Sequence, residues 1–212
     1  VYSACAGMGT DENGVYNALR GLTSIQGQAL ETVVWGRLFR GNTLRGTIDD
    51  DMNDDEKKIA YAYLGGNTAL GARLELDSTM HWYGDDEAQI EKILRELSPE
   101  DRAAMMAQPE WQAVHDRLKD NLGGTDLNVT EALLVGNAAR ADAYRLKDSI
   151  DEARRSSDPD ALHKALEGVD PAQMAAVQHE FHNIQNGEKP DATNVAPIDP
   201  ATAARDLGDY VL

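Results

Sequence analysis

The segment TDENGVYNALRGLTS, residues 10–24, recurs along the chain and decides the fold. It aligns with DDEAQIEKILRELSP at residues 85–99 and with SDPDALHKALEGVDP at residues 157–171. The alignment keeps one leucine of each copy in register, namely Leu19, Leu94 and Leu166. Apolar residues recur three or four positions apart in each copy, a spacing typical of an amphipathic α-helix. A segment that returns at intervals of 75 and 72 residues indicates an array of similar helical units.

A second pair of segments supports this interval. MNDDEKKIAYAYLGGN, which ends at Asn67, matches LGGTDLNVTEALLVGN, which ends at Asn137, 70 residues later. Two patterns with the spacing of a capping box mark helix starts: Thr23 with Gln26, and Asn53 with Glu56. The alternation typical of strands is nearly absent. We therefore predict an all-α protein.

The repeats divide the chain into three units and a tail. Residues 1–66 form a first unit that lacks its opening helix, and residues 67–136 form a complete second unit. Residues 137–187 form a partial, degenerate third unit. Residues 188–212, in which prolines interrupt a polar stretch, are predicted to be a linker or a C-terminal tail.

Composition limits the classes of partner. The 212-residue chain carries 37 acidic and 20 basic residues, which gives a formal net charge of −17. Such a surface repels phosphate backbones and anionic lipids, so we expect no nucleic-acid partner, and a lipid partner requires a bridging cation. No apolar run is long enough to span a membrane, and the start of the chain lacks the pattern of a signal peptide. We expect a soluble, folded protein, with a peripheral-membrane or secreted location left open.

The loop GMGTDE, residues 7–12, lies just before the first amphipathic segment, and Asp51 follows about forty positions later. A repeat of about seventy residues and five helices with this loop and a later acidic residue resembles the annexin repeat. The likeness covers residues 1–187. The residues of the repeats look more like those of divergent bacterial annexin-like sequences than like those of the animal proteins. The resemblance implies annexin-like repeats packed as a curved array. It also implies a non-enzymatic protein that binds acidic phospholipid membranes in the presence of calcium.

The resemblance further implies a Ca²⁺ site at this loop. The carbonyl oxygens of Cys5, Gly7 and Gly9 would bind the ion, and the carboxylate of Asp51 would complete the site. Calcium takes about six to eight oxygen ligands, and glycine allows successive carbonyls to turn toward one side.

Two points about the ligands stay open. The resemblance implies a secondary site that uses the carbonyl of Thr10 and the carboxylate of Glu12. The first unit is longer than expected before its acidic residue, so Asp49 and Asp50 remain alternatives to Asp51.

The same residues also suit purely structural roles. Thr10 suits the cap of a helix that begins at Asp11, and the charges of Asp11 and Glu12 favour the positive end of the helix dipole. The acidic run at residues 49–56 equally suits a solvated junction between helices.

The corresponding loops of the other units are weaker candidates. In the second unit, Trp82 and Asn121 replace a glycine and the acidic residue of the first, so we expect weak binding unless Asp120 substitutes. Trp82 at the loop tip is a candidate for entering a lipid interface or a protein groove. The third unit offers Arg154 and Arg155 where carbonyls should face a cation, so we predict no site there.

We expect structural roles for the other candidate residues. His179 and His182 are three positions apart but lack an evident third ligand, and Trp35 belongs to an apolar helix face. Cys5, the only cysteine, forms no internal disulfide and has no base nearby in the sequence. No motif supports an enzyme. The second functional hypothesis is an annexin-like protein-interaction or targeting scaffold within a larger bacterial secreted or toxin protein, without lipid binding.

Overall fold

The computed structural model describes residues 11–35, 43–80, 86–156, 169 and 172–187. Every regular element in these ranges is helical, which confirms the all-α prediction. Within the same ranges, no helix combines the length and the hydropathy that crossing a membrane requires. The chain forms two compact units, unit 1 at residues 1–118 and unit 2 at residues 119–212. The division into annexin-like repeats stays a prediction.

Eleven α-helices and one π-helical segment occur in the described ranges. Unit 1 contains α1 Glu12–Leu19, α2 Ser24–Ala29 with its π-helical continuation Leu30–Trp35, α3 Leu44–Asp51, α4 Asp54–Leu64, α5 Thr68–Thr79, α6 Glu87–Glu96 and α7 Pro99–Met106. Helix α8, Trp111–Asn121, runs across the boundary. Unit 2 contains α9 Gly124–Leu134, α10 Ala138–Ser156 and α11 Met174–Gln185.

Side-chain caps start most of the helices in unit 1. The two predicted capping boxes, at the starts of α2 and α4, are confirmed with both hydrogen bonds in place. Single side-chain acceptors cap the other helices: Asp11 for α1, Thr43 for α3, Asn67 for α5, Asp86 for α6 and Ser98 for α7. Because each cap satisfies N–H groups that the helix cannot pair, short helices start at defined residues.

Two helix–turn–helix connections, one in each unit, share the same hydrogen bonds. Gly66 after α4 has φ 79° and Gly136 after α9 has φ 83°, a left-handed conformation that favours glycine. The next residue in each turn, Asn67 or Asn137, donates its N–H to a carbonyl five residues back, at 2.9 and 2.8 Å. Each asparagine side chain then accepts an N–H from the first turn of the following helix. The two turns, 70 residues apart, are therefore built alike.

The core of unit 1 gathers the apolar faces of its helices. Helix α4 packs against α1, α2, α3 and α5, and α5 also packs against α6 and α7. Trp35 is buried in this core, as its apolar segment predicted. The periodic residues of α1 and α6 are also buried: Val15, Leu19, Ile90, Ile93 and Leu94.

Unit 2 has a core of its own. Helix α10 packs against both α9 and α11. The buried residues of the cluster are Ala143, Leu146, Ile150, Val169, Val177 and Phe181. A buried ion pair between Arg140 and Glu180, at 3.1 Å, also joins α10 to α11.

Gly27 marks the closest approach of α2 to α4. A Cβ atom at this position would lie 1.9 Å from the carbonyl oxygen of Leu64. We predict that Gly27→Ala lowers the free energy of unfolding by about 1–3 kcal/mol, because the backbone of α4 must move. Gln28→Ala, at the next and exposed position, changes it by less than about 0.5 kcal/mol. Urea unfolding measures both, and equal stabilities for the two variants would contradict this packing.

Candidate functional site

The acidic run at residues 49–56 forms a tight junction between α3 and α4. Helix α3 ends at Asp51, and the N–H of Met52 donates to the carbonyl of Ile48 at 3.1 Å. The Met52 side chain is buried, and Asn53 caps α4 through its side-chain oxygen. The buried methionine fixes the connection and leaves Asp51 at the surface.

The three consecutive aspartates at the end of α3 have different surroundings. Tyr61 on α4 donates a hydrogen bond from its hydroxyl to Oδ1 of Asp49 at 2.5 Å. Asp50 and Asp51 are exposed, and neither carboxylate makes a hydrogen bond or an ion pair with another described residue. The Asp49 carboxylate is therefore held against α4, while those of Asp50 and Asp51 stay accessible.

Tyr61 is itself held by neighbours. The guanidinium carbon of Arg45 lies 4.9 Å from the centre of the Tyr61 ring, and Nε of Arg45 donates to Glu31 at 3.1 Å. Burial, followed by the hydrogen bond with Asp49, raises the pKa of Tyr61 to about 12. The hydroxyl therefore keeps its proton at neutral pH and remains a donor.

The start of α1 differs from the sequence-based expectation. Its first residue is Glu12, and the Asp11 carboxylate caps it by accepting the N–H of Gly14 at 2.9 Å. The prediction that Thr10 caps a helix beginning at Asp11 is therefore wrong. An ionised carboxylate at the cap position both accepts this N–H and interacts with the positive end of the helix dipole. Glu12 is half-buried in the first turn.

Most of the predicted calcium ligands cannot be placed. Cys5, Gly7, Gly9 and Thr10 lie outside the described residues. Their role as ligands stays a prediction, as does the secondary site at Thr10 and Glu12. Of the predicted set, the structure describes Glu12 and Asp51, on α1 and α3 of unit 1.

The second sequence repeat, residues 67–136, has helix ends at the same places as the first repeat but with different side chains. Asp86 caps α6 by accepting the N–H of Gln89 at 3.0 Å, as Asp11 caps α1. Asn121 is the last residue of α8, as Asp51 is the last residue of α3. A neutral amide thus stands at the helix end where the first unit has a carboxylate. Trp82 lies outside the described residues.

The arginines predicted at a third loop are helical. Arg154 and Arg155 lie in the last turn of α10, and Arg155 pairs with Glu152 at 2.9 Å. His182 on α11 contacts Asn186 at 2.9 Å, and His179 is buried. In the part of the chain that the structure describes, no three acidic, histidine or cysteine side chains are arranged to hold a metal ion.

An acidic pocket in unit 1 was not predicted from the sequence. It has a volume of about 400 Å³, and four carboxylates from four different segments of unit 1 line it: Glu12, Glu56, Glu75 and Asp86. Burial, together with the charges of Glu56, Glu75 and Glu12, raises the pKa of Tyr16 at its wall. Helix periodicity carries no signal for such a pocket, because its acids come from segments far apart in the chain.

One wall of this pocket belongs to a buried ion pair. The Arg20 and Glu75 side chains are both 3% exposed, and one guanidinium nitrogen of Arg20 donates to both carboxylate oxygens at 2.8 Å. Tyr63 on α4 donates to Glu75 at 2.6 Å, and Gln89 on α6 donates to it at 2.6 Å. Burial, with the charge of Glu75, raises the pKa of Tyr63, so this donor also stays protonated. The network joins α1, α4, α5 and α6.

The chain is similar in sequence to an annexin. Annexin A13 of Mus musculus is 26% identical to it over 171 residues, which cover 79% of this chain and 51% of that protein. The chain thus spans about half the length of this curated relative. No family model matches the chain.

The Arg20–Glu75 pair is buried and the Asp55–Lys58 pair is exposed, so removing one carboxylate charge from each should change the free energy of unfolding by different amounts. We expect Glu75→Gln to lower the free energy of unfolding by about 2–3 kcal/mol, because the buried Arg20 loses its buried counter-charge and keeps the ion pair with the partly exposed Glu96 on α6. Asp55→Asn, which breaks the exposed pair with Lys58, costs less than about 1 kcal/mol. Urea unfolding of both variants is the measurement, and a Glu75→Gln loss as small as that of Asp55→Asn would contradict this role.

The Tyr61 hydroxyl predicts a loss of stability in alkali. An unfolded tyrosine loses its proton near pH 10, about two units below the pKa of folded Tyr61. The folded state therefore binds more protons between these values, and its stability falls as the pH rises from about 10 to 12. We expect Tyr61→Phe to reduce this slope. Urea unfolding at pH 9 and pH 11 measures it, and an unchanged slope would argue against the shift.

Proposed function

We propose that the chain is a non-enzymatic, calcium-dependent module that docks on acidic phospholipid membranes through the loop at residues 7–12. The primary ligands are the carbonyls of Cys5, Gly7 and Gly9 with the Asp51 carboxylate, and the secondary ones are the Thr10 carbonyl and the Glu12 carboxylate. The resemblance of this loop to the annexin repeat and the similarity to annexin A13 support the assignment.

The proposed ligands are of the chemical type that calcium binds. All the proposed ligands are oxygens, which a hard cation prefers, and none of the donors is a nitrogen or a thiolate. The described carboxylates meet the need for an accessible acid, since Asp51 is exposed at the end of its helix. The bound ion would supply positive charge between protein oxygens and lipid phosphate.

The observation that carries the proposal is the state of the three aspartates. Asp49 is engaged by Tyr61, whereas the Asp51 carboxylate is exposed and makes no hydrogen bond or ion pair with another described residue. This difference favours Asp51 over Asp49 as the acidic ligand. Asp50 is equally exposed, so it serves as a matched control for charge.

The net charge of −17 makes the proposal testable with membranes. We expect cosedimentation with phosphatidylserine vesicles in calcium and none in chelator, because only the cation offsets the repulsion. Added salt should weaken the association. Asp51→Asn abolishes calcium-dependent cosedimentation, while Asp50→Asn, which removes the same charge, retains it. Binding in chelator, or equal effects of the two variants, would overturn the proposal.

A protein-interaction scaffold is the second candidate, and one observation favours it. Ile25 is 77% exposed on α2, and Val33 and Val34 are 46% and 44% exposed on the π-helical segment. Exposed apolar side chains are the kind of surface that a protein partner covers. Under this alternative, partner binding survives both chelator and Asp51→Asn, whereas Ile25→Ser weakens it.

A further inference from the structure

Besides the core contacts of Ile48 and Met52, a side-chain hydrogen bond joins the last turn of α3 to α4. The Tyr61 hydroxyl donates to Asp49 at 2.5 Å, and a longer contact at 3.4 Å reaches the carbonyl of Arg45, also on α3. The Arg45 guanidinium covers the Tyr61 ring. Tyr61 therefore contacts both an early and a late turn of an eight-residue helix.

The geometry of the helix relates the direction of the Asp51 side chain to that of Asp49. Successive residues of an α-helix are rotated by about 100°, so side chains two positions apart point about 200° apart. When Asp49 is held toward α4, Asp51 is turned away from it. Asp51 is the last residue of the helix, and its exposed side chain has no core contact of its own, unlike the buried Ile48 and Met52 beside it.

We propose that Tyr61 is a positioning residue for the calcium site: by holding Asp49, it adds to the restraint that buried Ile48 and Met52 place on the last turn of α3, and so limits the directions open to the Asp51 carboxylate. The inference rests on the proposed function. Tyr61 and Asp49 do not touch the ion themselves. Their role is to present Asp51 with less loss of conformational freedom on binding.

Two substitutions at Asp49 separate positioning from ligation. Asp49→Asn removes the charge but keeps a side-chain oxygen that accepts from Tyr61, whereas Asp49→Ala removes the acceptor as well. A positioning role needs the acceptor alone, and a ligand role needs the charge. Tyr61→Phe removes the donor and keeps the ring beneath Arg45.

Calorimetric titration of the whole chain with Ca²⁺ tests the inference. We expect Tyr61→Phe and Asp49→Ala each to weaken calcium binding about three- to tenfold, because Asp51 then loses more conformational freedom when the ion binds. Asp49→Asn stays within about twofold of the wild type. The double variant Tyr61→Phe with Asp49→Ala binds no more weakly than either single variant, because both remove the same bond.

Thermal unfolding in chelator accompanies each titration and separates positioning from general stability. A Tyr61→Phe protein that unfolds at a lower temperature but binds calcium like the wild type overturns the inference. Equal losses for Asp49→Asn and Asp51→Asn also overturn it, since they make Asp49 a ligand. These outcomes leave the proposed function standing. A wild type that takes up no calcium removes the proposed function, and this inference with it.

Discussion

The buried guanidinium of Arg20 is the constraint on which unit 1 depends most. It lies at the end of α1, and its hydrogen bonds reach Tyr63 on α4, Glu75 on α5 and Glu96 on α6. A buried charge is tolerated only with its partners in place, so these helices cannot shift independently. Helix α1 follows the loop at residues 7–12, and α4 follows Asp51 directly after the junction. The network that stabilises the unit therefore also fixes the two helices that adjoin the proposed metal ligands.

Sequence reasoning succeeded where the physics is local. The capping boxes at Thr23 and Asn53 and the buried face of α6 follow from residues three or four apart, and the structure confirms them. Contacts between distant residues left no such signal. Arg20 and Glu75 are 55 positions apart, and nothing in the helical period marks them as partners. The cap of α1 was predicted wrongly between two adjacent residues, since Asp11 rather than Thr10 provides it.

The candidate site also combines local features that the sequence predicts with distant contacts that it does not. The resemblance indicated Asp51 and left Asp49 and Asp50 as alternatives, and the contact that argues against Asp49 comes from Tyr61, twelve residues further along the chain. In the second unit of the sequence, Asp86 keeps the capping role of Asp11, yet Asn121 replaces the exposed carboxylate at the helix end. A cap needs one acceptor, whereas a calcium site needs several oxygens, so a helical frame survives changes that remove a metal ligand.

The central claim is that Asp51 and the loop at residues 7–12 share one calcium ion. A crystal structure of the chain grown with calcium tests it most directly, through the anomalous signal of the metal. The account predicts a peak about 2.3–2.6 Å from an Asp51 carboxylate oxygen and from the carbonyl oxygens of Cys5, Gly7 and Gly9. Carbonyls that are hydrogen-bonded within the fold, with Asp51 directed elsewhere and no metal peak between them, would contradict it.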